Sequence, residues 1–266
     1  ALNEYANRVS QVEGIVGVVP PQVIGEDVRI VAYQSMLPRT PESQKLIHDL
    51  RDVKAPAGTL IGGVAADYTD SQDGISRTLP WAFGWIAISV LLLVFVFTGS
   101  IILPIKAVVL NVLSLAATMG VLTWVFIDGN LQWLVGSFTV TGCLDPSIVI
   151  LIAVVVIGLS MDYELFLLSR IREEHLEGRS NVESVATGLQ RSARIITAAA
   201  VLLAVVFAAF VTSGVTSIKT MGFGVALAVL LDATLIRALL VPALMRLMGE
   251  RNWWAPKSLQ RFTLKH

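Results

Sequence analysis

The sequence is short of charge and almost without cysteine. Only 15% of its 266 residues are Asp, Glu, Lys or Arg, and their balance leaves a formal net charge of zero, so no basic surplus exists to hold a nucleic acid and none is expected as a partner. The single thiol, Cys143, excludes an internal disulfide framework, and nothing stands with it as a metal site; no metal and no cofactor are expected. A secretory leader is also missing. The chain opens ALNEYANRVSQVEG, polar and helix-like, with no initiating Met and no charged-then-apolar stretch, as expected of a fragment of a longer protein. What it has in quantity is apolar residues, 55% of the total with a mean hydropathy of +0.71, which places it among membrane proteins.

The polar residues are unevenly spread, and the first part of the chain reads as a soluble domain. Leu2, Tyr5, Val9 and Val12 recur at helical spacing and predict a helix ended by Gly14. Ile15 to Val19 reads as a short strand broken by Pro20-Pro21, and Asp27 to Gln34 alternates apolar and polar as a half-buried strand does. Thr40-Pro41-Glu42 announces a second helix through Leu46, Ile47 and Leu50, and Thr59 to Ile61 reads as a strand closed by Gly62-Gly63. Helix, strand, strand, helix, strand is a split βαβ unit without its first strand. The expectation for 1–64 is therefore a truncated α+β, ferredoxin-like subdomain.

From 65 to 248 the pattern predicts an α-helical membrane domain of five transmembrane helices. A polar helix from Ala65 to Arg77 runs into a first span, about 79–97, with Trp81 and Trp85 as interfacial aromatics. Spans at about 101–126, 147–168, 195–212 and 219–240 follow. Lys106 is placed at an interface, Asp128 to Pro146 is a loop without Lys or Arg, and Ser169 to Arg194 is a loop with Arg170, Arg172, Arg179, Arg191 and Arg194. That loop falls on the same side as the chain end, which carries Arg246, Arg251, Lys257, Arg261 and Lys265. By the positive-inside rule this side is the cytoplasm. The tail 249–266 is then cytoplasmic, and residues 1–78 and Cys143 are extracytoplasmic.

The span IVILIAVVVIGLSMDYELFLLSRIREE, Ile148 to Glu174, holds Asp162, Tyr163 and Glu164 near its middle. An aspartate in hydrocarbon costs about 3 kcal/mol on insertion scales, so such residues face a bundle interior, a water cavity or an ion path. The blander alternative, contact with interfacial water, is disfavoured because Leu165, Phe166, Leu167 and Leu168 separate the acidic cluster from Arg170. Glu164 lies about 200° around the helix from Asp162, so the two carboxylates cannot face one cavity; it is expected to pair with a neighbouring helix or to be auxiliary. In the last span Arg237 is expected at the cytoplasmic interface with Asp232 buried a turn or more inside it. Five residues apart, the two are not on one face of an α-helix, so Asp232 is expected to pair, structurally, with a basic residue of another helix. Gly222, Gly224, Ala226 and Ala228 suit close helix contact. Beyond Pro242 the chain is expected to bend along the membrane surface, anchored by Trp253-Trp254.

Gly158 to Glu174, GLSMDYELFLLSRIREE, resembles the MMPL group (mycobacterial membrane protein large) of the resistance-nodulation-division transporters. LDATLIRALLVPALMRLMGERNWWAPKSL, from Leu231, resembles the end of the same family. The resemblance implies a twelve-helix exporter of lipids or other hydrophobic compounds in the inner membrane, driven by proton motive force and built of two pseudo-repeat halves, each with a periplasmic porter domain. This chain would be its C-terminal portion. Protons, a hydrophobic or lipid cargo, the membrane and the missing N-terminal half would be its partners. Asp162 and Tyr163 match the Asp-Tyr pair of the family's proton relay, in which each pair hydrogen-bonds to its counterpart across the pseudo-twofold; the counterpart is not in this chain. Physical chemistry agrees with the role, because a carboxyl shielded from water can load and release a proton near neutral pH and its neutralisation removes an attraction across the halves. Taken alone, Tyr163 reads equally well as an interior aromatic whose hydroxyl finds a hydrogen bond.

Two rival functions compete. Asp162 and Asp232 could form an intramembrane aspartyl protease dyad sharing a proton, but MDYE and LDAT lack the Gly-x-Gly-Asp pattern expected there, and no enzyme is expected. The other is a non-transporting sensor or scaffold akin to the sterol-sensing branch of the superfamily, which would tolerate loss of the Asp162 charge.

Overall fold

Helices form wherever the apolar runs are long, and among the described residues the strands are confined to the first fifty. The computed structural model describes residues 2–140 and 142–256. It divides into two compact units, Ala1–Ala82 and Phe83–His266.

In the first unit α1 (Leu2–Ser10) and α2 (Pro41–Asp52) form as their periodicity predicts. Thr40 Oγ1 caps α2 by accepting from the Ser43 N–H at 3.3 Å, and Pro41 occupies the first turn, where a missing N–H costs nothing. Their apolar faces meet in a small core of Tyr5, Val9, Leu46, Ile47 and Leu50 with Ala66. The strands depart from expectation. β1 (Ile15–Val18) pairs antiparallel with β4 (Ala32–Gln34), and β2 (Gln22–Ile24) with β3 (Asp27–Arg29), giving two separate ladders. The single strand expected from Asp27 to Gln34 is divided because Gly25, at φ +65, closes a two-residue turn that folds β3 back on β2. Thr59 to Ile61 is not a strand: the Thr59 N–H is turned back to Pro56 O, and Leu60 is 94% exposed. A strand needs a neighbour to complete its ladder, and none of the described residues offers one there. The ferredoxin-like sheet is therefore not formed; an open cavity of about 830 Å³ lies instead beside Tyr5, Val9, Tyr33, Met36, Leu50 and Ile61.

The second unit is helical. The polar stretch expected to enter the membrane and the first span are one helix, α3 (Val64–Thr98), which starts in the first unit and has Trp81 and Trp85 exposed on it. α4 (Ile102–Leu122) ends in a π-turn (Thr123–Ile127), and the short α5 (Gln132–Val135) follows. The Lys219 ammonium holds that connection by donating to Val135 O at 3.1 Å and Ser137 O at 3.0 Å. Next come α6 (Pro146–Leu176), α7 (Asn181–Ala209) with a closing 3-10 turn (Phe210–Thr212), and α8 (Thr216–Leu231). α8 runs into a π-helical segment (Asp232–Leu240), α9 (Val241–Met248) and a 3-10 turn (Gly249–Trp253). Among the described residues five stretches are long and apolar enough to cross a membrane: Val64–Thr98, Ile102–Ile127, Pro146–Leu176, Asn181–Thr212 and Thr216–Trp253.

The expected loop from Ser169 to Arg194 is a tight helical hairpin. α6 continues to Leu176, and α7 starts at a capping box in which Ser180 and Glu183 satisfy each other's backbone N–H. Buried Glu174 receives both Arg179 and Arg191, which joins the two helix ends. Arg172 donates to Phe97 O, a carbonyl in the last turn of α3 with no helical partner of its own.

The last described turn is docked on protein, which covers Trp253, one of the two tryptophans expected as a membrane-surface anchor. The Trp253 ring stacks on His175 at 4.3 Å and its Nε1 donates to Asn181 Oδ1 at 3.1 Å. Ser100 Oγ donates to Asn252 O at 2.5 Å, and the Ile101 N–H to Trp254 O at 3.2 Å. Trp254 alone of the two tryptophans is exposed. Lys257, Arg261 and Lys265 lie outside the described residues.

Among apolar helices in lipid, association depends on close approach rather than on expulsion of water. The small residues of α8 supply it: a Cβ at Gly224 would meet Ile152 Cδ1 at 2.9 Å and Leu122 Cδ1 at 3.0 Å, and one at Gly222 would meet Phe207 O at 2.6 Å.

Candidate functional site

α6 has two unlike faces. Leu151, Val154, Gly158 and Asp162 are exposed and recur at three- and four-residue intervals, with exposed Ser169 two turns further on, so they form one stripe. Ser160, Glu164, Leu167 and Ile171 are buried on the other side. The two carboxylates therefore face apart, as their spacing requires. Asp162 lies on the open stripe, and Tyr163 lies between the faces, half-buried.

On the buried side a polar network joins α4, α6 and the π-helical segment. Asp232 and Arg237, 5% and 2% exposed, form an ion pair with Arg237 Nε 2.6 Å from Asp232 Oδ2. This corrects the expectation that the two residues cannot share a face. An α-helix closes each turn on the fourth residue, but a π-helix closes on the fifth, so Asp232 and Arg237 stack on successive turns. The Val241 N–H bonding to Ile236 O, five residues back, shows the wider turn directly. Pro242 follows at once and has no N–H to give to an α-helical partner. Arg237 is accordingly not a surface residue, and the partner of Asp232 comes from its own segment rather than from another helix.

Ser160 is the hub. Its Oγ lies 2.9 Å from Asp232 Oδ1 and 2.5 Å from Asn111 Oδ1, and Arg237 donates to its carbonyl oxygen. A hydroxyl has one proton, so Ser160 serves one of these two acceptors at a time. Asn111 Nδ2 reaches Met161 Sδ at 3.3 Å. The Arg237 guanidinium sits 5.2 Å from the centre of the Tyr163 ring, a cation–π contact. A cavity of about 10 Å³ lies between Val156, Ser160, Tyr163, Ala228 and Asp232, about the space of one water.

The fold thus brings Tyr163, Asp232 and Arg237 together, leaves Asp162 on the open face, and buries Glu164 one turn beyond Ser160. Neither Asn111 nor Ser160 is named in the sequence reading. Lys106, read as interfacial, is buried with 7% exposure. A signal was present, since Lys106, Asn111, Ser114 and Thr118 make a polar stripe on an otherwise apolar helix, and all four are buried. No group of His, Cys, Asp and Glu among the described residues could hold a metal.

The MMPL family model matches residues 28–263. The chain is 43% identical over 221 residues to membrane protein SCO6666 of Streptomyces coelicolor, covering 83% of this chain and 31% of that protein. It is 40% identical over 239 residues to the trehalose monomycolate exporter MmpL3 of Mycobacterium tuberculosis, covering 89% and 25% respectively. With the mycolic acid-containing lipids exporter MmpL11 of Mycolicibacterium smegmatis it shares 35% identity over 262 residues, 96% of this chain and 27% of that one. The chain spans 25% to 31% of the length of these relatives. Five apolar helices and this match over most of the sequence make the chain a multi-pass membrane protein that belongs to the MMPL family.

Proposed function

We propose that this chain is the C-terminal portion of an exporter that moves lipids or other hydrophobic compounds across the inner membrane, driven by proton motive force, with Asp162 and Tyr163 as its proton relay. The observation that carries the reading is the position of Asp162. A carboxylate on an open stripe of a membrane-spanning helix is too costly to leave against lipid, and a second helical half laid on that stripe would give it a partner. Tyr163, next to it, touches the Arg237 guanidinium, so a change of charge at Asp162 would be felt by the Asp232–Arg237 network and by α4 and α6 through Ser160. That is a local charge change acting on packed helices. The family's exporters supply the lipid class of cargo by analogy.

The arginine-bearing ends of α6 and α7 are assigned to the cytoplasm and residues 1–78 to the outside. The first 64 residues are read as part of a porter domain that the rest of the protein completes, and 249–266 as a cytoplasmic tail. In cysteine labelling of the full-length protein, position 179 should be protected from an outside reagent while Cys143 and position 44 react; labelling at 179 overturns the orientation. A protease dyad is disfavoured on geometry, since Asp232 is taken up by Arg237 and Ser160 while Asp162 faces the other way.

The test is reconstitution of the full-length protein in vesicles with a fluorescent lipid. Export should require an imposed proton gradient and stop when an uncoupler collapses it. Export that continues without the gradient contradicts the coupling, and a protein that supports its pathway without moving lipid favours the scaffold.

A further inference from the structure

Two buried ionisable groups take no part in that reading. Lys106 of α4 and Glu164 of α6 are 7% and 4% exposed. Lys106 Nζ and Glu164 Oε1 have no hydrogen-bond partner among the described residues, and Arg237 Nη1 is in the same position.

These three atoms come from separate segments but lie at one level. α4 and α6 run antiparallel, because Gly224 faces both Leu122 at the end of α4 and Ile152 near the start of α6, while Asn111 meets Ser160 further along. From that meeting point Lys106 is five residues back on α4 and Glu164 four residues on along α6, about 7.5 and 6 Å at 1.5 Å per residue. Glu164 is also one turn beyond Ser160 on the same face, and Ser160 O anchors Arg237. The charged groups facing Glu164 are Arg237 and Asp232 of the π-helical segment and Lys106 of α4. Charges buried without direct partners are too costly to stay dry, and a polar gap with several donors and acceptors is where ordered water resides.

We propose that Lys106, Glu164 and Arg237 surround a hydrated proton-holding site through which the proton leaves the relay toward the arginine-bearing end of α6. Ser160 borders both this site and the cavity beside Tyr163 and Asp232, so the two adjoin. The Glu164 carboxylate takes the proton from water in that cavity, becomes a carboxylic acid, and gives it to water on the far side; Lys106 and Arg237 hold the water in place. The inference rests on the proton-coupled reading above and adds to it a release step.

The experiment uses the full-length protein in vesicles loaded with a pH-sensitive dye, with a proton gradient imposed. Glu164→Gln should slow proton uptake by roughly a hundredfold, the low end of what a positioned proton-transfer group contributes, and Glu164→Asp should restore part of it. Lys106→Gln should alter the pH profile of uptake. In an infrared pH titration, one carboxylic acid band should vanish in Glu164→Gln and persist in Glu173→Gln, an exposed control. Wild-type flux and pH profile in Glu164→Gln, or an unchanged infrared titration, overturn the proposal. Should that variant fail to fold, a wild-type pH profile in Lys106→Gln overturns it equally. If Asp162→Asn also carries protons at the wild-type rate, the relay itself is wrong; if Asp162→Asn is inactive and Glu164→Gln normal, only the release step falls.

Discussion

The open and buried faces of α6 place acidic groups in opposite circumstances. Asp162 lies on a stripe that the described residues leave uncovered. Asp232, reached through Ser160 on the other side, has an arginine at 2.6 Å, a serine at 2.9 Å and almost no exposure. A carboxylate that is already paired and hydrogen-bonded is stabilised as a charge and holds helices in register. One with no ion pair or hydrogen bond among the described residues is open to a partner from outside. On the proposed reading, Asp162 is the group that moves and Asp232 the group that holds.

Breaking the buried side should have the larger effect on the protein itself. Arg237→Met leaves Asp232 buried without its counter-charge, and removing one partner of a buried ion pair costs about 3–5 kcal/mol. The full-length variant should lose thermal stability in detergent, and Asp232→Asn combined with Arg237→Met should recover most of it. A single variant as stable as wild type would show that the pair holds nothing. Tyr163→Phe should come next: it removes one hydroxyl and with it the hydrogen bond proposed to the missing half, worth about 1.5–3 kcal/mol when made to a charged group. It should weaken coupling of export to the gradient and leave the fold intact; an unchanged dependence on the gradient would leave Tyr163 as packing only. Gly188→Ala should cost least. Its new Cβ would meet the Ile171 backbone at 2.9 Å, an overpacking of about 1–3 kcal/mol that the better helix propensity of alanine partly offsets. Its expected reading is a small fall in melting temperature with the proton response unaltered.

Much of this architecture was legible because lipid demands long apolar helices, and the five spans stand out in the sequence for that reason. The angular separation of Asp162 and Glu164 followed from helix geometry alone. What could not be read is a change in that geometry. The Asp232–Arg237 pair depends on a π-helical turn, and a reading with four residues per closed turn assigns the two to different faces; the ion pair and the following Pro242 were the signs of it. Lys106 was misplaced because a lysine near a helix start suits an interface, while its neighbours Asn111, Ser114 and Thr118 on the same stripe gave the contrary indication. At 1–64 the strand expected from Ile15 formed, but the single sheet did not, for a different reason. Short alternating segments specify a sheet only with their partners, and Thr59 to Ile61 has none among the described residues. The capping box at Ser180 and Glu183 was readable and would have turned the expected arginine loop into a helical hairpin.

The central claim is that the open-face carboxylate, rather than the buried pair, carries the proton. The most direct measurement compares gradient-driven lipid export by wild type and Asp162→Asn in the full-length protein, reconstituted at equal amounts and shown to be folded by an unchanged melting transition. Asparagine keeps the size and most of the hydrogen bonding of aspartate but fixes the neutral state, so export and proton uptake should both fall to background. Export at the wild-type rate with the gradient intact would contradict the account.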